Sequence, residues 1–292
     1  MNSIDQFNEH RLLLFSIAYR MLGSAMEAED IVQETFLRWQ QVAKDEIKSA
    51  RAYLTTVITR LCIDQLRSAR VQREQYFGQW LPEPVLTRPA AQIEGPAALA
   101  ESLSMAFLVL LESLNPTERA VFLLREVFDY DYAEIARIVD KSEVNCRQLA
   151  RRARQHVRAK RPRFDPSPEA QQRLMSQFMD TCARGDLPGL IDLLAEDITL
   201  WSDGGRKVPA AVKPIYGTEN VAKFFLGLVQ KMPANFIPKL AWVNGQPGLI
   251  GYENGEATTV LVFEIAEGKV WAIHAVRNPD KLEGVPPLPA ES

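Results

Sequence analysis

The chain has 292 residues, of which 47% are hydrophobic and 24% charged. That is enough apolar material for about two ordinary domains and excludes a chain disordered throughout. The formal net charge is −3, which as an average argues against a generic nucleic-acid binder with a basic excess. Three cysteines, Cys62, Cys146 and Cys182, stand far apart with no CxxC spacing; this excludes a disulfide framework and gives no zinc signature. The amino terminus, MNSIDQFNEH, lacks the charged-then-apolar layout of a signal peptide. No apolar run approaches the ~18 residues of a membrane span. The expectation is a cytoplasmic protein with no membrane partner and no metal or cofactor.

The average charge hides a division. Residues 1–75 carry ten basic and ten acidic side chains, and residues 76–116 carry one and four. Residues 117–164 carry twelve and seven, and residues 165–292 carry eleven and sixteen. From Lys141 to Arg163 there are nine bases against one acid, Glu143. Such asymmetry points to nucleic acid. Breaker-rich stretches at Trp80–Pro96 and Pro162–Pro168 read as linkers.

The first block, residues 9–73, reads as consecutive helices. Ser24 followed by Glu27 has capping-box spacing and opens a helix through AEDIVQETFLRW. Ile31, Phe36 and Trp39 can share one apolar face there. The next helix runs from about Ala50 to Arg73. Leu54, Ile58, Leu61 and Leu66 are spaced for burial, leaving Arg51, Arg60, Arg67, Arg70 and Arg73 outward. Two readings fit: a helical bundle with solvated charges, or a basic face for a phosphate backbone and splayed bases.

The second block opens at Asn115-Pro116-Thr117-Glu118, which combines a cap, Pro at the first helical position and Glu three residues after the cap. A short helix over Tyr132–Val139, a turn at Asp140-Lys141 and a helix from Glu143 to about Arg158, capped by Ser142, have the layout of a helix-turn-helix. Ala136 suits the close crossing, and Ile135, Val139, Val144 and Leu149 are expected in the seam. Asp140 tolerates unusual backbone angles in the turn. Glu143, Asn145, Arg147, Gln148, Arg151 and Arg152 can then meet phosphates or base edges. The competing reading is an αα-hairpin with a basic surface.

Together the two blocks resemble the DNA-reading regions of an extracytoplasmic-function sigma factor. AEDIVQETFLRW and AYLTTVITRLCIDQLRSAR match region two, and LNPTERAVFLLREVFDYDYAEIARIVDKSEVNCRQLARRARQHV matches region four. WLPEP (Trp80, Leu81, Pro82, Glu83, Pro84) and NPDKL (Asn278, Pro279, Asp280, Lys281, Leu282) resemble signatures of the group forty-one type, which carries a SnoaL-like extension. SDGGRK, Ser202–Lys207, is close to the family's DGGGK but has Arg206 in place of a glycine.

The resemblance implies roles. Asp30, Ile31, Gln33, Glu34 and Phe36 would dock on clamp helices of the RNA polymerase largest subunit. Arg60, Asp64, Arg67 and Arg70 would open and read the minus-ten element. Ser142, Glu143, Asn145, Arg147, Gln148, Arg151 and Arg152 would read the minus-thirty-five element as duplex. The linker would run toward the polymerase active-site channel and RNA exit path, so the core's largest and second-largest subunits and promoter DNA are the implied partners. Asp203, Gly204, Gly205 and the NPDKL residues would be interdomain and regulatory, the latter touching the sigma regions.

Past residue 195 the texture becomes alternating and β-branched. ITLWSD reads as a strand, GTENVAKFFLGLVQKM as a helix, and IPKLAWVNG, GLIGYEN, TTVLVFEIAEG and KVWAIHAVRN as strands joined by NG, ENGE and EGK turns. RLMSQFMDTCARGD reads as a helix ending at Gly185, followed by one capped by Asp186. Helices on a curved antiparallel sheet make a cone with a pocket at its mouth, which resembles the SnoaL fold of enzymes and of binding domains. An enzyme would need a carboxylate or His in that pocket; Asp203, His274 and Tyr216 are the candidates. His274 alternates with Trp271 and Ile273 and so can face inward. Trp201, Trp242 and Trp271 read as core. Asp203-Gly204-Gly205 reads as a tight loop whose amides can face a partner or ligand.

The expected organisation is therefore multidomain: region two over 1–75, a linker with WLPEP over 76–96, region four over 97–162, a second linker over 163–168, a SnoaL-like domain over 169–283 and a tail over 284–292. The fold class is two all-α sigma domains, the second a helix-turn-helix, then an α+β SnoaL-like cone. The function implied is a sigma factor modulated by its own extension, with a small molecule in the pocket able to shift the balance only by different affinities for two states. The alternative is a SnoaL-like isomerase or cyclase fused to a DNA-binding module. The acidic extension would pair with the basic blocks through long-range charge, weakening as salt rises.

Overall fold

A computed structural model of the chain describes residues 3–42, 47–74, 76, 78–88, 103–158 and 168–288. The chain forms two compact units, one of Met1–Gln75 with Phe107–Arg161, the other of Tyr76–Ala106 with Pro162–Ser292. Most of the second linker and the last four tail residues lie outside the described residues. Among the described residues, no helix is long and apolar enough to cross a membrane.

The first unit opens with α1 (Ser3–Leu22), α2 (Ala25–Gln41) and α3 (Ala50–Glu74). Ser24 caps α2 by accepting from the Glu27 amide at 3.1 Å. The buried stripe of α2 is Ala28, Val32, Thr35 and Trp39, at helical spacings of four and three. Of the expected apolar face, only Trp39 is buried. Ile31 and Phe36 flank it half-buried, with the Phe36 ring 4.9 Å from that of Phe7. The Trp39 indole donates to the Ser3 carbonyl at 2.8 Å, tying α2 to the start of α1. On α3, Leu54, Ile58, Cys62 and Leu66 are buried as one stripe; Leu61 is only half-buried. Full burial of each such side chain contributes about 1.5–3 kcal/mol.

The same unit continues with α4 (Met105–Leu111), whose first two residues belong to the second unit, and with α5 (Pro116–Glu126), α6 (Tyr132–Val139) and α7 (Glu143–Arg158). Asn115 and Glu118 form the capping box expected for α5, and Asp131 with Glu134 forms a second one for α6. Helix α6 stops at Asp140, whose left-handed backbone (φ 53°, ψ 58°) turns the chain without a glycine. The Ser142 hydroxyl accepts from the Asn145 amide at 3.2 Å and caps α7. One expected seam residue is wrong: Val144 is 63% exposed. Cys146, Leu149, Ala150, Ala153 and Val157 are buried instead, a run of positions sharing one helical face from which Val144 is displaced.

The second unit is an α+β domain, helices on one sheet. Helices α8 (Pro168–Arg184) and α9 (Leu187–Leu193) precede β1 (Leu194–Asp203), β2 (Ile215–Tyr216), α10 (Thr218–Val229), β3 (Phe236–Val243), β4 (Gln246–Glu253), β5 (Glu256–Ala266) and β6 (Lys269–Val276). The described strands form one sheet, ordered β2-β1-β6-β5-β4-β3. β1 pairs with β6 in parallel and the other pairs are antiparallel. Tight turns at Asn244-Gly245, Asn254-Gly255 and Glu267-Gly268 all have positive φ, the backbone that two-residue hairpins require. Phe178, Leu190, Ile198, Leu200, Val221, Phe225, Phe263 and Ile273 build the core between helices and sheet.

Candidate functional site

Helix α3 presents the residues expected at the minus-ten element. Asp64 and Arg67 are exposed and paired at 3.5 Å; the Arg70 side chain lies outside the described residues. Arg60 is engaged within the unit. Its Nε donates to the Ile138 carbonyl at 2.8 Å and its Nη2 to the Arg137 carbonyl at 2.9 Å. These carbonyls lie in the last turn of α6, where a cation complements the helix dipole. Beside it, Thr55 Oγ1 and Tyr130 OH are 2.9 Å apart, and the Arg51 guanidinium lies 5.4 Å from the Tyr130 ring centroid. Further along, Arg119 donates to the Met21 carbonyl at 2.6 Å and to Glu112 at 2.7 Å. The first helical block and the helix-turn-helix are thus bonded to each other. Sequence reading missed Tyr130 and Arg119, because no local pattern marks a partner some 75 or 98 positions away.

On α7, Arg147, Gln148, Arg151 and Arg152 are exposed. Arg147 pairs with Glu143 at 2.9 Å and lies 5.3 Å from the Tyr132 ring centroid. Arg152 is 3.7 Å from Glu118. The Arg147–Glu143 pair is exposed on both sides, of a kind worth about 0–1 kcal/mol, so Arg147 can leave its partner at little cost. On α2, Asp30 and Gln33 are exposed, Ile31 and Phe36 half-buried, and Glu34 binds Arg38 at 2.9 Å.

In the second unit the three signature motifs converge. Asp203, at the end of β1, is 1% exposed. Its Oδ1 accepts from Tyr76 OH at 2.6 Å and from the Gly205 amide at 3.0 Å. Its Oδ2 accepts from the Leu81 amide at 2.9 Å and from Lys281 Nζ at 2.7 Å. Lys281 also donates to the Leu81 carbonyl and sits 4.2 Å from the Trp80 ring centroid, within cation–π range. Asn278 donates to Tyr76 OH at 3.2 Å and caps the Asp280 amide at the same distance, while Asp280 pairs with Lys207 at 2.6 Å. Burial and the Asp203 carboxylate push the Tyr76 phenol well above its ordinary value. Gly205 is required: its φ is 60°, and a Cβ there would meet the Asn278 side chain at 2.3 Å.

This clasp corrects three expectations. The described part of the 76–96 segment is no open linker: Leu81, Pro82, Glu83 and Pro84 are buried. The segment continues along the β3–β4 turn, where the Asn244 amide donates to the Val85 carbonyl at 2.8 Å and Thr87 N to the Trp242 carbonyl at 2.9 Å. Gln246 Oε1 accepts from the Met105 amide at 3.2 Å. The Gly205 amide turns inward to its own Asp203 rather than toward a partner. The NPDKL turn touches Tyr76 and Leu81, which follow region two in the chain.

The pocket also departs from expectation. A cavity of about 720 Å³ is walled by Phe178, Leu200, Phe224, Phe225, Leu249 and Leu261 among others. Asp203, His274 and Tyr216 are not among its lining residues. Ile273 and Ala275 belong to the core under the helices, so His274 between them points to the opposite face, by the alternation of a strand. It stacks on Trp201 at 5.0 Å, and its Nδ1 is 3.4 Å from Glu264 Oε1. Burial lowers His274 to about 3 and raises Glu264 to about 8, so both are neutral near pH 7. Trp271, read as core, is 36% exposed.

Family models match the two helical blocks: Sigma-70 region 2 over residues 6–71 and Sigma-70, region 4 over residues 104–157. A capped helix-turn-helix with a basic second helix, bonded to an arginine-bearing helical block, is thus the helical machinery of a sigma-70-type transcription factor. Among characterised proteins, the ECF RNA polymerase sigma factor SigJ of Mycobacterium tuberculosis is 40% identical over 296 residues, covering 97% of this chain and 94% of that protein. The probable ECF RNA polymerase sigma factor SigI of the same species is 32% identical over 288 residues, with the same coverage of both chains. The crystal structure of M. tuberculosis SigJ superposes with a TM-score of 0.76 at 36% identity, covering 96% of this chain and 98% of that one. The chain belongs to the extracytoplasmic-function sigma factor family.

Proposed function

We propose that this sigma factor reads promoters through α3 and α7 and is restrained by its own carboxyl-terminal domain through the clasp at Asp203. In this reading Asp30, Ile31, Gln33, Glu34 and Phe36 dock on the largest subunit of core polymerase. Arg60, Asp64, Arg67 and Arg70 engage the minus-ten strand, and Ser142, Glu143, Asn145, Arg147, Gln148, Arg151 and Arg152 meet the minus-thirty-five duplex. The protein works in the cytoplasm, where polymerase is, and performs no catalytic step of its own.

The burial of Leu81–Pro84 carries the regulatory part. A segment buried against Asp203 and Lys281 cannot at the same time run through the polymerase channel toward the RNA exit path. Binding polymerase then requires the clasp to open, so the free energy of the clasp sets the fraction of active protein. The isomerase alternative needs a proton-transfer group in the cavity; none of its three candidates lines it, and the one carboxylate that does, Glu253, is engaged by the Thr258 hydroxyl.

In-vitro transcription with core polymerase at fixed salt tests the reading. The chain should produce promoter-dependent transcripts, and Arg147→Ala should lose them at the same promoter. Promoter-independent output, or none with any promoter selected by the protein, refutes it.

A further inference from the structure

The cavity of the second unit has a chemistry that promoter reading does not use. At about 720 Å³ it falls in the size range of small-molecule sites. Its body is apolar, and polar groups gather at one end. Val260 pairs with Val276 across β5 and β6, so Thr259 on β5 and Arg277, the residue just past the end of β6, are neighbours. Both line the cavity.

Arg277 Nη1 donates to the Pro209 carbonyl. Its remaining guanidinium N–H groups have no partner among the described residues. Lys231 adds a second cation to the lining and Glu253 the one carboxylate; Glu253 accepts from the Thr258 hydroxyl at 3.2 Å. An apolar chamber whose lining carries a guanidinium with donors to spare selects a molecule with a greasy body and one anionic end. The fork of Arg matches a carboxylate in two parallel hydrogen bonds, while the apolar walls favour burying a hydrocarbon body.

We propose that this cavity binds an amphipathic carboxylic acid, its apolar body against Leu200, Phe225 and Leu261 and its carboxylate on Arg277. Two sources share this chemistry, a straight acyl chain and a fused-ring acid. This goes beyond the promoter role, and binding is measured without transcription, so the two readings fail separately.

The test is calorimetric titration of the full chain with decanoate, 2-naphthoate and their neutral alcohols, decanol and 2-naphthalenemethanol. At least one acid should bind saturably and about tenfold or more tighter than its alcohol, a difference of about 1.4 kcal/mol. The acid that binds more tightly identifies the source. Arg277→Gln should bring acid and alcohol together. Leu228→Trp, which places an indole in the lining from α10, should abolish binding; Ala211→Trp serves if that variant does not fold. Absence of saturable binding by both acids, equal binding of acid and alcohol, or full binding in the tryptophan variants overturns the proposal.

Discussion

Lys281 and Asp203, 78 positions apart in sequence, meet as an ion pair of 2.7 Å whose carboxylate has no solvent exposure. Removing one partner leaves the other charge buried and unpaired. Lys281→Met is therefore expected to destabilise the chain by about 3–5 kcal/mol, and the double variant with Asp203→Asn by less than the sum of the singles. Denaturant unfolding of the full chain measures both.

A milder change probes regulation. Tyr76→Phe removes the hydrogen bond to Asp203 and should weaken the clasp by about 0.5–1.5 kcal/mol. Promoter-dependent transcription at limiting core polymerase should rise, since less work is needed to free Leu81–Pro84. Unchanged or lower output counts against a restraining clasp.

Arg60 is held within its own unit, whereas the minus-ten role proposed for it needs the side chain free. Bonded to the carbonyls of Arg137 and Ile138, its side chain is not available to a nucleotide. Arg60→Ala should cost about 1–3 kcal/mol of stability, in the range of charge-assisted hydrogen bonds, and also slow promoter opening. Thermal unfolding reads the first effect and a permanganate footprint at the minus-ten bases the second.

On α7, base-reading and phosphate-binding residues separate by salt. If Arg147 reads a base edge, Arg147→Ala should lose about 1–3 kcal/mol at one position of the minus-thirty-five element. If Arg152 meets a phosphate, Arg152→Ala should weaken all sequences alike and reduce the salt slope by about one. Fluorescence anisotropy of the holoenzyme on promoter variants distinguishes them.

The buried pair Glu264 and His274 predicts a pH profile. Glu264 is raised to about 8, so between its unfolded value and pH 8 the folded chain holds the extra proton and stability falls as pH rises. His274 is lowered to about 3, so from its unfolded value down to pH 3 the unfolded chain holds the extra proton and stability falls as pH drops. The two slopes oppose each other between about pH 4.5 and 6.5, leaving a net fall from about 6.5 to 8. Glu264→Gln should flatten that fall in urea unfolding midpoints measured across the range.

Much of the local structure was readable in the chain. The caps at Ser24, Asn115 and Ser142, the left-handed turn at Asp140 and the hairpin turns at Asn244 and Asn254 each depend on neighbours within a few residues. The errors arose where burial depends on what the partner surface supplies. Val144 was assigned to the seam that Cys146 fills. Alternation allows His274 either face, and the register of β6 turns it away from the core of Ile273 and Ala275. Nor did the Asn244-Gly245 turn signal that the Asn244 side chain also accepts from the Val85 amide, 159 positions away.

The net charge of −3 proved to be an average over a basic helix-turn-helix and an acidic extension. Charge order, hydrophobic period and motif spacing, all short-range properties, determined by themselves that two helical blocks, the second strongly basic, precede an α+β domain. Only the tertiary structure decided where WLPEP, DGGRK and NPDKL go. One carboxylate, Asp203, gathers all three, because a charge removed from water must find donors, and its donors come from its own loop and from two distant parts of the chain.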